Sequence, residues 1–558
     1  MGLRGTMEES KESFSLLDEP WIRCQGTDGE AVAVGIRDVF SGDMELLSVR
    51  GDSPAQDYAV TRLLLAIFWR AHRHDIAVKP GQTFDFSDWF GPALEQAGSG
   101  TPDERVLKYL DEYAERFDLL HPETPFMQVA DLHTAKGQHS DINRIVPEAE
   151  NTYFTMRAGD AQRSLSLAEA ARWLVYVQAY DYSGIKSGAV GDDRVKGGRG
   201  YPIGPGWSGR TGGTLVLGRT IRETLVLNTV FEAIGHETDK PVWEREPDTA
   251  AQRSSATPQG PADLATWQSR RVRLFVEDGA VTGALVSNGD AIAGAGANVM
   301  DDPMTPYRYS RNKSKKGTDV YFPRPFDTER TVWQSLEPLI LLESDVPSNK
   351  GEKPPKRPAT LDNLGIMREE GVFDEELANL QLVSVEYGPQ ESSVATVVPA
   401  ILEMPIELLA PGARLQRRTV IDAANATSQA STNLGSFVGQ LAQASGGDYE
   451  FNVDSKNSIL AELEPKFLNW LKTVDGKNYG PRAKEWQNVV RQEIVAHAQM
   501  RLRGAGPKAL VGREEPDTED KTRLISAGTA YRWLLRNLDE SLPLTKREYE
   551  SDTGRKEK

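Results

Sequence analysis

The chain has 558 residues, which at roughly 100–200 residues per domain suggests two to four domains. Hydrophobic residues make up 39% and charged residues 26%, ordinary for a globular protein with a sizeable core. Lys plus Arg number 65 and Asp plus Glu 82, a formal charge of −17, which excludes a uniformly basic nucleic-acid coat but leaves room for a local basic surface.

Met1–Ser13 is polar, carries both charge signs and lacks the apolar core of a signal peptide; it is expected to be a flexible extension. Met1-Gly2 with Thr6 fits a myristoylation pattern that is common by chance. Phe14–Cys24 reads as a short apolar strand broken by Pro20. Cys24 is the only cysteine, so intramolecular disulfides and cysteine-rich zinc sites are excluded and a reducing cytoplasm is expected. Val60–Arg73 predicts a buried helix, with Leu63, Leu64, Ile67 and Phe68 at helical spacing. Arg105–Phe117 predicts a more amphipathic helix and Ser166–Tyr180 a third. Eleven glycines fall between Gly184 and Gly213, where no helical period survives. Thr214–Leu217 and Thr224–Asn228 return to apolar character.

His236–Asp263 reads as a surface loop or linker. Arg271–Val276 and Gly283–Ser287 predict two strands around a turn at Glu277–Gly279. Arg308–Gly317 is a basic loop, Glu343–Thr360 is expected to be mobile, and Leu380–Tyr387 predicts a strand. From about Pro399 the pattern changes. Leu415–Leu441, Ser455–Val474, Pro481–Leu502 and Asp520–Leu538 each predict a helix with an apolar stripe, with Pro481 at the first helical position. Four helices with short joints suggest an antiparallel bundle. The expected class is α+β: a flexible start over 1–13, a mixed, loop-rich domain over 14–398, a four-helix bundle over 399–544 and a charged flexible tail over 545–558. No segment reaches the roughly 18 apolar residues of a membrane span.

Catalytic signatures are absent, so no enzyme and no cofactor are expected. No H-E-x-x-H occurs, since His236-Glu237 lacks a second histidine. The pairs His72/His74 and His133/His139 lack i,i+4 spacing, and no metal site is expected. G-x-S-x-G fails where Arg210 follows Gly209. Gly184-Ile185-Lys186-Ser187 is not a phosphate loop, because Ile185 separates the glycine from the lysine. Gly204 to Gly209 matches G-x-G-x-x-G, but prolines rather than a buried strand precede it, and a β-like run rather than a helix is expected to follow. A glycine-loop enzyme acting on nucleotides or phosphosugars is the alternative reading; nearby it has only Asp192, Asp193 and Lys196 as titratable groups.

Charge on the glycine loop is more informative. Between Asp193 and Glu223 there is no acidic residue, while Arg194, Lys196, Arg199, Arg210, Arg219 and Arg222 are present, with Tyr201 and Trp207 as aromatic surface. Such a stretch suits nucleic acid, where phosphate contacts position and base edges specify; an ordered surface loop explains it equally well. A second basic cluster is Arg308, Arg311, Lys313, Lys315 and Lys316 beside Tyr307 and Tyr309, which suits a phosphate backbone or solvent. A third is Trp267 with Arg270, Arg271 and Arg273, for which salt bridging is the preferred reading.

Several stretches, in this order, resemble the CasA large subunit of type I-E CRISPR Cascade complexes. They are Phe14–Cys24, Thr124–Gln128, Gly197–Gly213, Gly218-Arg219 with Arg222–Leu225, and Thr266–Arg271, followed by the helical end. The resemblance spans about residues 14 to 540. It implies a non-catalytic cytoplasmic subunit of an RNA-guided antiviral surveillance complex. Such a subunit recognises the protospacer-adjacent motif in duplex DNA, starts R-loop formation and helps recruit a helicase-nuclease. Guide pairing then reads the sequence, a division of labour also known from a different CRISPR effector. Implied partners are double-stranded target DNA, guide RNA, the other Cascade subunits and the recruited helicase-nuclease, with no membrane.

The resemblance also implies sites. The motif-reading loop falls on Gly200, Tyr201, Pro202, Ile203, Gly204 and Gly206. A strand-separating wedge falls on Gln390, Glu391 and Ser392, with Gln390 favoured for the tip and Glu391 the neighbouring register. A loop contacting guide RNA and DNA falls on Asn151, Phe154, Thr155 and Arg157. Arg199, Lys313, Lys315 and Lys316 are implied DNA-backbone contacts. The lysine finger of some relatives has no counterpart in Gly289–Val299, and their cysteine zinc site has none here. If the glycine loop enters a groove, valine at Gly204 and Gly206 is expected to abolish discrimination while the chain stays folded.

Overall fold

Ser53 starts the central helix: its side chain accepts the Gln56 N–H, Pro54 takes the first position and Asp57 lies in the first turn. The helix runs Pro54–Ala71. Leu63 through Ile67 are 0% exposed, so this helix is a core helix, and its buried Arg62 and Arg70 are paired with Asp302 and Glu244. In this computed structural model the described residues are 13–76, 84–147, 157–235, 238–254, 257–326, 336–345, 353–518 and 521–546. The chain divides into two compact units: 1–328 with 342–374 and 378–402, and 329–341 with 375–377 and 403–558. The cut at 402/403 falls four residues beyond the expected boundary at 398/399. Pro399 itself sits inside the strand Val394–Pro405, at the edge of a three-stranded sheet, where a missing N–H is tolerated.

Around the central helix the first unit is mixed. The start of the chain forms its strand at Ile22–Gly26, after Pro20, and pairs on both sides with Ala31–Val34 and Leu46–Val49. Glu104–Glu112 is helical and tightens into a 3-10 turn at Ala114–Phe117. The expected helix over Ser166–Tyr180 forms as Leu167–Tyr180, with Ser166 as its cap. Strands Arg270–Glu277 and Ala280–Asn288 join through Asp278 and Gly279, at φ 49° and 75°, the left-handed pair an Asp-Gly hairpin turn uses. The sheet that carries the site is ordered Val394–Pro405, Leu377–Tyr387, Gly213–Leu217. Leu380 faces Val216 and Val383 faces Gly213.

The apolar run from Thr224 lies in a helix, Ile221–Leu227, capped by Thr220. A short helix, Trp207–Thr211, begins inside the glycine motif, and the expected β-run follows it as the strand Gly213–Leu217. Within Glu343–Thr360, the described part is tied down: Lys356 and Tyr307 exchange two backbone hydrogen bonds of 2.8 and 2.9 Å.

In the second unit, Arg414–Ala444 packs against Val453–Leu471, Tyr479–Gly504 and Ala527–Ser541. Phe467, Trp470 and Trp486 form an aromatic cluster with centroids 5.2–5.6 Å apart, and the Trp486 indole donates to Thr427 Oγ1 at 2.9 Å. Pro481 is the third helical residue, not the first, since Asn478 precedes the helix. The helix expected from Asp520 does not begin there: Lys521–Ile525 is a strand that pairs antiparallel with Arg513–Thr518. Glu515 faces Arg523 there, an opposite-charge cross-strand pair, and the helix begins only after the Ser526 cap.

Candidate nucleic-acid interface

The site grows from the end of the helix Leu167–Tyr180, which delivers Asp181 into the interior. Its carboxylate receives Arg144 at 2.9 and 3.0 Å, Lys186 at 3.1 Å and Arg270 at 2.5 Å. Burial alone would raise the Asp181 pKa, but Arg144, Arg270 and Lys186 hold it well below the usual carboxylate range. The reverse holds for Lys186: burial pushes its ammonium down to about 7, against the pull of Asp181. Its Nζ lies 3.6 Å from the centre of the Tyr182 ring.

Arg270 fixes the root of the glycine loop. Its guanidinium is fully buried and donates to the carbonyls of Tyr182 at 2.7 Å, Gly204 at 2.9 Å and Asp181 at 3.1 Å. The Gly206 N–H donates to the Asp181 carbonyl at 3.0 Å. On the other side, the Trp207 indole donates to Asp302 at 2.7 Å, and Asp302 pairs with Arg62 of the central helix at 2.8 Å. Asp302 thus ties the Met300–Pro303 segment, the loop and the core together.

The loop has a buried root and an exposed rim. Lys186–Ser187 pairs with Arg199–Gly200, and the turn between them runs through Gly197 and Gly198 at φ 59° and 72°. Lys196, Arg199, Tyr201 and Pro202 are exposed; Ile203 and Gly204 are half-buried. Gly200 is buried, with Asn288 where a side chain would point. Gly206 is buried against the Ala179 carbonyl, and Gly204, at φ 97°, has the Arg210 guanidinium where a Cβ would go. Valine at these two positions therefore attacks the packing, and the expectation of an intact fold is withdrawn.

Gln390, Glu391 and Ser392, the residues expected to form a wedge, lie in the turn between the strands Leu377–Tyr387 and Val394–Pro405. Pro389, Gln390, Glu391 and Ser392 are exposed. Gln390 and Glu391 both adopt left-handed φ, 59° and 54°, which costs a non-glycine residue roughly 1–2 kcal/mol. The turn is closed by the Gly388 N–H on the Ser393 carbonyl and the Glu391 N–H on the Gly388 carbonyl, each 2.9 Å. The structure brings this turn and the glycine loop together. The Ser183 N–H donates to the Glu391 carbonyl at 2.7 Å, and Ser183 Oγ accepts the Gly204 N–H at 3.1 Å. Arg210 adds charge at the same place: burial lowers its pKa and the Glu391 carboxylate opposes that.

Most of the basic bias on the loop is structural. Arg194 bonds Asp192 and the carbonyls of Asn288 and Gly289. Arg219 pairs with Glu223, and Arg222 donates to the Thr101 and Gln96 carbonyls. That leaves Lys196 and Arg199 on the rim. Lys313, Lys315 and Lys316 are exposed on the connection between Tyr307–Tyr309 and Tyr321–Pro323. The root of that hairpin lies near the glycine loop, since a Cβ on Gly296 would meet Trp207, Arg210 and Pro323. The third basic cluster is interior: Arg271 is 1% exposed and pairs with Asp290 at 2.8 Å. Asn151, Phe154 and Thr155 lie outside the described residues; Arg157 pairs with Glu169.

Sequence reasoning missed Ser183, Asp181 and Arg270 as organisers of the loop. Apart from the nearby Asp181–Lys186 pair, their links to Gly204, Gly206 and Glu391 span 21 to 208 positions, beyond any local pattern. The alternative of a nucleotide enzyme gains a titratable group in Lys186, but that ammonium is sealed against Asp181 and Tyr182. Among the described residues no cluster of three His, Cys, Asp or Glu could hold a metal, and no helix is long and apolar enough to cross a membrane.

Residues 15–496 match the family described as CRISPR-associated protein Cse1. A curated relative, the CRISPR-associated protein CasA/Cse1 of Thermus thermophilus, is 30% identical over 279 residues, 48% of this chain. That match spans 50% of the relative's own length. The crystal structure of Thermobifida fusca Cse1 is similar at a TM-score of 0.81 and 35% identity, covering 96% of this chain and 99% of that one. A chain from a CRISPR RNA-guided surveillance complex shares the fold at a TM-score of 0.62 and 19% identity, covering 88% and 99%.

Proposed function

The chain belongs to the CRISPR-associated Cse1 family, and from that premise we propose that it is the large, non-catalytic subunit of an RNA-guided surveillance complex. In this reading it recognises the protospacer-adjacent motif in duplex DNA, starts strand separation and helps recruit the helicase-nuclease. The observation that carries the DNA-reading role is the joining of two elements with exposed residues, the rim Lys196–Ile203 and the turn 388–393, through Ser183, which bonds Gly204 next to the rim and Glu391 in the turn.

Each element suits one step. A minor groove about 6 Å wide admits backbone more readily than bulky side chains, and there G·C differs from A·T by one exocyclic amine. The rim offers glycine backbone with Tyr201 and Pro202 as exposed shape, while Lys196 and Arg199 flank it for phosphates. Opening the first base steps costs about 1.4 kcal/mol per step in stacking. A wedge must meet that cost with a rigid tip, and Gln390 sits in a turn pinned by Pro389 and three main-chain hydrogen bonds. Its amide suits insertion better than the Glu391 carboxylate, which phosphates would repel. Lys313, Lys315 and Lys316 add sequence-independent backbone attraction.

The test is a mobility shift of the reconstituted complex on duplexes that differ only in the flanking trinucleotide. Binding is expected to change with the trinucleotide and to weaken on loss of rim residues. Equal binding to every flank would remove the motif-reading role.

A further inference from the structure

We propose that Ser183 is a positioning residue that couples motif reading to strand opening. The inference rests on the reading of the two loops as DNA-facing elements, and adds a mechanical link that neither loop contains by itself.

Ser183 is 6% exposed and stands between the two elements with one bond to each. Its Oγ accepts the Gly204 N–H at 3.1 Å, and its own N–H donates to the Glu391 carbonyl at 2.7 Å. Both partners are conformationally special. Gly204 has φ 97°, and its carbonyl is held by Arg270 at 2.9 Å, so this glycine is gripped at both polar groups. Glu391 has φ 54° and follows Gln390 at 59°. Two adjacent non-glycine residues in the left-handed region persist only where surrounding bonds over-determine them. The Ser183 N–H is one of those bonds, and it comes from outside the turn.

The consequence is directional. The Gly204 N–H is part-buried and bonded to Ser183 Oγ, so a displacement of Gly204 by a ligand on the rim either carries Ser183 or gives up that bond. A shift of Ser183 moves the donor that fixes the Glu391 carbonyl, and with it the tip residue Gln390. Rim occupancy and wedge posture are therefore two states of one bonded unit, which is what a coupling between sites requires. The alternative, two loops that contact DNA independently, gives Ser183 no role beyond packing.

The experiment uses the reconstituted complex with Ser183→Ala, Ser183→Cys and Ser183→Thr. Alanine deletes the Oγ acceptor, cysteine keeps the size but accepts weakly, and threonine keeps the hydroxyl. Opening is read from a fluorescent base analogue beside the motif, and docking from the mobility shift. One neutral hydrogen bond predicts a roughly three- to tenfold loss of opening for alanine, a smaller loss for cysteine and near-recovery for threonine. Docking should stay within about twofold, on the low side of that bond's worth. A target with mismatched base pairs beside the motif should restore opening. The loss should also vanish in a Gln390→Ala background, because the coupled element is already disabled. Additive effects of Ser183→Ala and Gln390→Ala, or wild-type opening in both the alanine and cysteine variants, would overturn the coupling alone. A wild-type complex that binds all flanks equally would instead overturn the DNA-reading role on which it rests.

Discussion

The two halves of the glycine loop share a composition and differ in almost everything else. At the rim, a Cβ on Gly197 or Gly198 would meet nothing, and both residues serve the positive φ of a tight turn. At the root, a Cβ on Gly206 would collide with the Ala179 backbone, and one on Gly209 with the Tyr387 hydroxyl. Charge divides the same way. Rim cations point to solvent, whereas Arg144, Lys186 and Arg270 converge on the single carboxylate of Asp181. A glycine- and arginine-rich run is therefore not one functional object. Its root sets where the backbone goes, and only its rim is free to meet a ligand.

The largest expected effect comes from the root. Asp181→Asn leaves three cations around a neutral amide, and breaking a buried ionic cluster in this way should cost about 3–5 kcal/mol. Chemical denaturation of the purified chain, followed by tryptophan fluorescence, measures it. Lys186→Met is the sharpening control. It removes the cation whose burial is least compensated, so stability should hold or rise. It should also abolish a pH dependence. With its folded pKa near 7 and an unfolded value near 10.5, Lys186 makes the unfolded state bind more protons between those limits. Stability should then rise with pH across that window, and flatten in the Met variant.

Next in size is the contrast between glycines. Gly206→Val overpacks a backbone contact and should cost about 3 kcal/mol. Gly197→Ala meets open space and should cost only about 1 kcal/mol, from the left-handed φ. Equal costs would erase the distinction between root and rim.

The same division explains what could be read before the fold was known. Local signals were legible: the helical run Ser166–Tyr180, the apolar run around Leu63–Phe68 and the turn at Glu277–Gly279 each set an element through neighbours in sequence. Motif order pointed to the family, and Gln390, Glu391 and Ser392 were placed at a turn, which the structure shows as an exposed turn between strands. What stayed hidden was pairing over distance. The arginines counted as a basic face of the loop are mostly neutralised locally or donate to distant carbonyls, and charge density does not reveal that. The strand Lys521–Ile525 was taken into a helix because its cross-strand pairs with Arg513–Thr518, such as Arg523 with Glu515, have no helical or strand period long enough to stand out.

A smaller effect, invisible in stability, is expected from the lysine hairpin. Lys313, Lys315 and Lys316 are exposed, so their joint replacement by alanine should leave denaturation unchanged. If they hold phosphates, the log–log salt dependence of duplex binding should flatten by about 0.9 per lost contact, equally for every flank. Titrations at three or four salt concentrations decide this. A change confined to one flanking sequence would instead make the hairpin a reader of bases.

The smallest expected effect runs in the opposite direction in stability and tests the wedge. Gln390 sits at φ 59°, a region glycine occupies without steric cost. Gln390→Gly should relieve about 1–2 kcal/mol of strain and lose about 0.5–1 kcal/mol to the greater entropy of the unfolded glycine, a net gain near 0.5 kcal/mol. Gln390→Ala keeps the strain and removes the amide. If the amide opens the strands, both variants should slow opening alike despite their different stabilities, and a target with pre-opened base pairs should rescue both. The triple lysine variant should not be rescued, because its loss is in docking. If glycine opens DNA as well as glutamine does, the backbone shape of the turn is the wedge and the amide is not. If pre-opened pairs fail to rescue either variant, the role passes to Glu391 or Ser392, the other exposed residues of the same turn.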